Sequence, residues 1–161
     1  ERVLEMCPPA PRVDRELPLD EHELMCGFDA ADMSQLASIM TRREYDAGEL
    51  VVRDGDPAQE LFLIVRGELS VLAEGATGRV RRLSTLSAGM GFGESALIEH
   101  AARSASVRAD GHAVCWALSR AGVDTLRSSH PRLALVLFAN LLRSTWRIVN
   151  RLSRESLSRT T

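Results

Sequence analysis

The sequence predicts an α+β fold: an antiparallel β-barrel or sandwich with one helix before it and a short plus a long helix after it. Two observations lead there. From Tyr45 to Leu118, short apolar runs alternate with glycine-bearing turns, a texture in which turn signals recur every ~8–12 residues in antiparallel folds. The last third instead repeats apolar residues in steps of three and four, the period of a helix face. A chain of 161 residues, 45% hydrophobic and 26% charged, can bury a core without disulfides or metals.

The elements follow in order. Residues 1–19 carry Pro8, Pro9, Pro11 and Pro18 and read as a linker, since such runs cannot sustain a helix. Glu1 to Met6 reads as the end of a helix from a preceding domain, and residues 20–161 as the domain itself. Asp29 is placed as an N-cap, with Met33, Leu36, Ala37 and Met40 at helical spacing behind it. Strands are expected around Leu50–Val52, Leu61–Val65, Leu69–Leu72, Leu83–Leu86, Ala105–Val107 and Ala113–Leu118, with Gly67 as a hairpin turn. Ser119 caps a short helix ending near Ser128, and Pro131 suits the first turn of a longer one. In that helix Ala134, Phe138, Leu141, Thr145, Ile148 and Leu152 form one stripe, which serves equally for packing on the barrel or for a dimer seam.

Composition excludes several classes. The net charge is −2, and all twenty basic residues are Arg. Arg143, Arg147, Arg151, Arg154 and Arg159 line one side of the long helix. Phosphate contacts from such a stripe would be independent of sequence, so no specific nucleic-acid binding is expected. No apolar run reaches the ~18 residues of a membrane span. Cys7, Cys26 and Cys115 are odd in number and widely spaced, which argues against a disulfide framework or a zinc site and for a cytoplasmic setting. His22, His100, His112 and His130 show no metal or catalytic spacing, so no catalytic residue, metal or cofactor is expected. Trp116 and Cys115 read as core, and the chain, opening on Glu1, as part of a longer protein.

One segment carries chemistry. Gly89, Gly91 and Gly93 fall within five residues, and Glu94, Ser95, Ala96 and Leu97 follow. Such glycines permit positive φ and close approach of a ligand, and a helical turn after them would aim free N–H groups at an anion. Arg103 supplies a planar fork for phosphate oxygens and Ser104 a further donor. Glu94 is an acceptor, fitted to a ribose 2′-hydroxyl as acidic residues are in dinucleotide folds. Together they describe a site for a nucleotide with a single phosphate. A tight turn beside a structural salt bridge is the other reading of the same residues.

The run Phe92-Gly93-Glu94-Ser95-Ala96-Leu97 with Arg103-Ser104-Ala105 resembles the phosphate cassette of cyclic nucleotide-binding domains. Gly48-Glu49, Gly55-Asp56-Pro57-Ala58, Leu61-Phe62, Ile64, Gly67, Leu69, Val71 and Gly89 match that family's upstream pattern, and the resemblance covers roughly residues 29–152. It implies an eight-stranded, jelly-roll-like β-roll binding cAMP, with cGMP as the other candidate. Glu94 matches the family's ribose-binding Glu and Arg103 its phosphate-binding Arg, nine residues on. Gly93 and Ala105 match backbone donors, Ser95 lies within the cassette, and Ser104 sits where a side chain meets phosphate or base. Val71 and Leu83 match apolar positions beside ribose and base. The proline common before the cassette Arg is Ala102 here, which implies a looser loop. In the bacterial catabolite activator, hydroxyl residues on the long helix read adenine; Ile148 and Val149 align there, with Trp146 or Arg147 able to cap the base.

These features predict a regulatory, non-catalytic sensor of a cyclic nucleotide. Its partners would be that nucleotide, a preceding domain of the same chain and a second copy through the long helix. Glu1 to Glu5, the Pro-rich linker and Glu21-His22-Glu23-Leu24 resemble proteins in which such a domain follows a STAS domain on bacterial glutaminases or sulfate-permease-type transporters. The alternatives are a degenerate docking module without ligand, or a truncated cAMP-responsive transcription regulator. The latter needs a helix-turn-helix for which about ten residues after the long helix leave no room.

Overall fold

Asp29 opens the first helix with a reciprocal cap: its carboxylate accepts from the Asp32 amide at 2.8 Å, and Asp32 accepts from the Asp29 amide at 3.1 Å. The helix, α1, runs Ala30–Ile39. Arg132 pairs with the same Asp32 and ties α1 to the last helix. The computed structural model describes residues 15–97 and 101–158. Expected features at 1–14, including most of the linker and the helix end at Glu1 to Met6, lie outside the described residues.

Eight strands follow among the described residues: β1 Met40–Tyr45, β2 Leu50–Val52, β3 Glu60–Arg66, β4 Glu68–Glu74, β5 Val80–Ser87, β6 Gly91–Phe92, β7 Ser106–Ala109 and β8 Ala113–Ser119. Helices α2, Arg120–Ser129, and α3, Pro131–Ser158, follow. The strands form two antiparallel four-stranded sheets, ordered β1-β8-β3-β6 and β2-β7-β4-β5. The expected β-roll with one helix before and two after is the fold found.

Three elements differ from the sequence reading. Met40 belongs to β1 and not to the helix, because the backbone turns extended there (φ −102°, ψ 155°) and pairs with Leu118. Strand β1, rich in polar residues, and the two-residue β6 have no apolar run to announce them. Gly67 is not a hairpin turn. At φ +82° it passes the chain from β3 in one sheet to β4 in the other. A Cβ there would lie 2.5 Å from the His112 carbonyl, so the corner demands glycine.

Strand β3 is buried on both faces, as a continuous apolar run requires. Leu61 and Leu63 pack with Leu24, Leu36, Leu126 and Leu137 under the helices, while Phe62 and Ile64 pack with Leu69, Val107 and Cys115 between the sheets. Burial pushes the Cys115 thiol up to about 12. Strand β5 closes its sheet as an edge and is exposed from Val80 to Thr85.

The packed body begins inside the span read as linker. Leu17 is buried and its amide donates to the Val65 carbonyl at 2.7 Å, because it is an apolar side chain that the roll can cover. Cys26 is disulfide-bonded; an odd cysteine count argues against a framework of bridges but does not forbid a single one. The expected stripe on α3 faces the roll: Ala134 and Leu141 are buried and Phe138 packs on the core. The side chain of Leu152 lies outside the described residues. A second stripe, Leu135, Leu142, Trp146 and Val149, is exposed.

Candidate functional site

The site is built where β6 ends. Phe92 stacks on Phe62 with ring centroids 4.9 Å apart, which anchors the strand on the core. Gly93 then adopts φ +88°, and a Cβ there would lie 2.7 Å from Arg103 Nη1 and 2.8 Å from the Glu60 carbonyl. The chain coils into a 3-10 turn, Glu94–Leu97, with the Ala96 amide on the Gly93 carbonyl at 2.9 Å. On its return it is pinned to the loop before β3. The Ala58 amide bonds the Ala101 carbonyl (3.0 Å), the Arg103 amide bonds Asp56 (2.8 Å) and the Gly55 amide bonds the Arg103 carbonyl (2.9 Å). This small ladder, which includes a bridge between Pro57 and Ala102, fixes the backbone at the position where the family's proline is missing.

Arg103 is the electrostatic centre. It is 6% exposed, donates from Nη2 to the Glu60 carbonyl at 2.7 Å and from Nη1 to the Gly93 carbonyl at 3.5 Å, and lies 5.7 Å over the Phe62 ring. Burial lowers its pKa, opposed by the nearby Glu60 and Glu94 carboxylates. No carboxylate among the described residues forms an ion pair with it. The Glu60 carboxylate is taken instead by Arg43, which donates to both of its oxygens. A buried guanidinium held only by carbonyls and a ring keeps its affinity for an anion.

Beside it opens a cavity of about 400 Å³. Val71, Gly93, Glu94, Ser95, Arg103, Ser104 and Ala105 line it, so seven of the eight residues expected from the sequence come together. Leu83 does not join them. Val71 pairs with Ser84 and Leu72 with Arg82, so Leu83 is the extra residue of a β-bulge and stands 60% exposed. Ser84 and Leu86, its neighbours in β5, line the cavity in its place.

The remaining wall comes from α3: Leu141, Ser144, Thr145, Ile148 and Val149. Ile148 and Val149 stand where the resemblance aligned base-reading residues. Trp146 is 64% exposed, outside the lining, and Arg147 turns toward Glu23 at 3.4 Å, so neither caps the cavity. Ser144 was missed by the sequence reading; its hydroxyl next to Thr145 on the inward face was the available signal. The N-terminal segment braces this wall. Ser144 donates to the Glu23 carboxylate, Asn140 Nδ2 donates to the carbonyls of Leu24 (2.9 Å) and Cys26 (2.7 Å), and Thr145 donates to the Leu141 carbonyl at 3.0 Å. His22 is 1% exposed; its Nδ1 accepts from the Leu24 amide and its Nε2 bonds the Met90 carbonyl. Burial pushes its pKa down to about 4, so it is neutral and Nε2 is the donor.

A cationic floor, apolar sides and a hydroxyl-bearing wall accept an anionic group joined to a flat, mostly apolar body. No cluster of metal-ligating side chains occurs among the described residues, and no described helix is long and apolar enough to cross a membrane. The arrangement defines a β-roll with a ligand-sized cavity built around a buried cation. The chain belongs to the cyclic nucleotide-binding domain family, which matches residues 42–130. It is 38% identical over 124 residues to Glutaminase 1 of Bradyrhizobium diazoefficiens, covering 76% of this chain and 19% of that protein. The chain therefore spans about a fifth of the length of the glutaminases it matches. Among solved structures it is similar to a cyclic nucleotide-binding domain from Methylobacillus flagellatus, with TM-score 0.74, 25% identity, and coverage of 83% of this chain and 75% of that one. The regulatory domain of Toxoplasma gondii PKA, in co-crystal with cAMP, superimposes with TM-score 0.58 and 26% identity over 66% of this chain and 41% of that one.

Proposed function

We propose that this cavity binds a cyclic purine monophosphate, cAMP in preference to cGMP, and that the domain reports that binding to the protein carrying it. The observation that carries the reading is Arg103: a buried cation, without an ion-pair partner among the described residues, at the floor of a cavity lined by Glu94. The phosphate would displace the Glu60 and Gly93 carbonyls from the guanidinium, and Glu94 would receive the ribose 2′-hydroxyl. Gly93, Ser95, Ser104 and Ala105 surround the phosphate in this reading, with Val71 against the ribose. The cAMP-bound Toxoplasma gondii domain supports the ligand class. Similarity to the Bradyrhizobium diazoefficiens glutaminase supports a tethered glutaminase as the controlled partner; in this reading a sulfate-permease-type transporter is the other host and a STAS domain the preceding one. The setting would be cytoplasmic, where cyclic nucleotides act.

Ligand entry beneath α3 would shift that helix and bias the tethered partner. Leu135, Leu142 and Trp146, exposed on α3 and outside the cavity lining, suit a second copy of the chain. Calorimetric titration of the chain with cAMP and cGMP tests the reading. Saturable binding of either supports it; no heat and no thermal shift with both leaves the degenerate docking module.

A further inference from the structure

Glu23 lies in the 3-10 turn Glu23–Met25, outside the span of the family match, yet it reaches the cavity through Ser144. The turn is held from two sides, by His22 on the Met90 carbonyl at 3.1 Å and by Asn140 on the carbonyls of Leu24 and Cys26. Its second carboxylate oxygen faces Arg147 at 3.4 Å. Glu23 is therefore fixed against α3 as a rigid acceptor.

A hydroxyl has one hydrogen to give and two lone pairs to receive with. A carboxylate can only accept, so the Ser144 hydrogen is committed to Glu23. The Thr145 hydrogen is likewise committed, to the Leu141 carbonyl at 3.0 Å. Both residues line the cavity, and a hydroxyl whose hydrogen is committed elsewhere meets a ligand as an acceptor. The two commitments differ in strength. Thr145 gives its hydrogen to a neutral carbonyl of its own helix, whereas Ser144 gives its to a carboxylate whose side chain is only 15% exposed. Reversing Thr145 is easy; reversing Ser144 breaks a charge-assisted bond.

We infer that Glu23 is a specificity-determining residue: by holding the Ser144 hydrogen it makes the helical wall of the cavity an acceptor surface that selects a purine edge bearing an amino donor. The inference rests on the cyclic-nucleotide reading of the cavity. A 6-aminopurine donates from its amino group, whereas a 6-oxopurine presents an acceptor at the same place. An oxo group would meet the Ser144 lone pairs, and Ser144 could turn to greet it only by leaving Glu23 without its donor.

The test is calorimetric titration of the full chain with cAMP and with cyclic inosine monophosphate, which carries oxygen at the purine 6-position. In the parent, cAMP binds at least about tenfold more tightly, a difference of ~1.4 kcal/mol. Glu23→Ala frees the Ser144 hydrogen and compresses the ratio to within about threefold. Ser144→Ala compresses it as well, and adding Glu23→Ala to that variant moves the ratio no further, since the two residues act as one unit. A purely structural Glu23 would weaken both nucleotides equally and leave the ratio alone; that result overturns the inference while the reading of the cavity stands. If Glu23→Ala does not fold, an unaltered ratio in Ser144→Ala overturns it equally. If the parent binds neither nucleotide, the reading and the inference fall together.

Discussion

Arg103 Nη2 rests on the main-chain carbonyl of Glu60 at 2.7 Å, while the carboxylate of that same glutamate is engaged by Arg43. The local negative charge is thus kept off the cassette cation. Arg103→Ala should lower cyclic nucleotide affinity at least about 100-fold, since charge-assisted bonds contribute ~1.5–3 kcal/mol each and a fork makes two. Arg103→Lys should recover only part, because a point charge cannot reproduce the planar fork. Titration calorimetry measures both. An Ala variant within about twofold of the parent, ~0.4 kcal/mol, would remove Arg103 from the site.

Gly93→Ala forces a side chain into left-handed backbone at φ +88° and places its Cβ against Arg103 and the Glu60 carbonyl. The expected cost is about 1–3 kcal/mol of stability, with a larger proportional loss of affinity because the cassette cation is displaced. Chemical denaturation and ligand titration on one preparation separate the two effects.

Glu94 is exposed, and its carboxylate holds no hydrogen bond among the described residues. Glu94→Gln keeps an acceptor and loses the charge. Affinity should fall about tenfold, ~1.4 kcal/mol, with the ligand-free melting temperature unchanged. A marked drop in that temperature with affinity intact would make Glu94 structural.

His22 is buried neutral, its pKa pushed from 6.5 to about 4. Its contribution to stability is complete above pH 6.5 and is lost progressively as the pH falls toward 4, because in that window the unfolded chain binds a proton that the folded chain refuses. The loss is on the order of 3 kcal/mol, at most ~1.4 kcal/mol per pH unit. Urea denaturation at pH 7.5, 6.0 and 5.0 should show this slope in the parent and a flatter one in His22→Gln. Parallel slopes would place the titration elsewhere.

Trp146→Glu tests the outward stripe of α3. Trp146 is 64% exposed, and glutamate is a good helix former, so the isolated fold should keep its stability to within about 0.5 kcal/mol. Sedimentation should show the parent as a dimer and the variant as a monomer. A parent that sediments as a monomer at high concentration sets the stripe aside as a self-association face.

What the sequence made legible, and what it hid, divides along physical lines. Asp29, Ser119 and Pro131 marked helix starts because capping is written in one or two residues. Gly93 and Arg103 were legible as neighbours of one cavity because left-handed backbone and a concentrated charge are written in single residue types. Strand β1 was hidden because its pairing with β8, not its own apolarity, makes it a strand. Leu83 was misplaced because a one-residue bulge reverses which residues face inward, and nothing local to β5 announces it. Ser144 and Glu23 meet across 121 residues of chain, a contact that packing alone creates.

Among the described residues, strand β5 leaves one backbone edge of its sheet unpaired while Val80 and Leu83 stand exposed at 62% and 60%. Such a strand is a template on which a foreign strand can grow. Arg81 and Arg82 sit between those two apolar residues, and Arg82 reaches Asp110 at 3.8 Å. Charges on such an edge oppose stacking of identical copies, because stacking would bring like cations together. Arg81 and Arg82, which do not line the cavity, thus stand where charges keep exposed strand edges from pairing with one another.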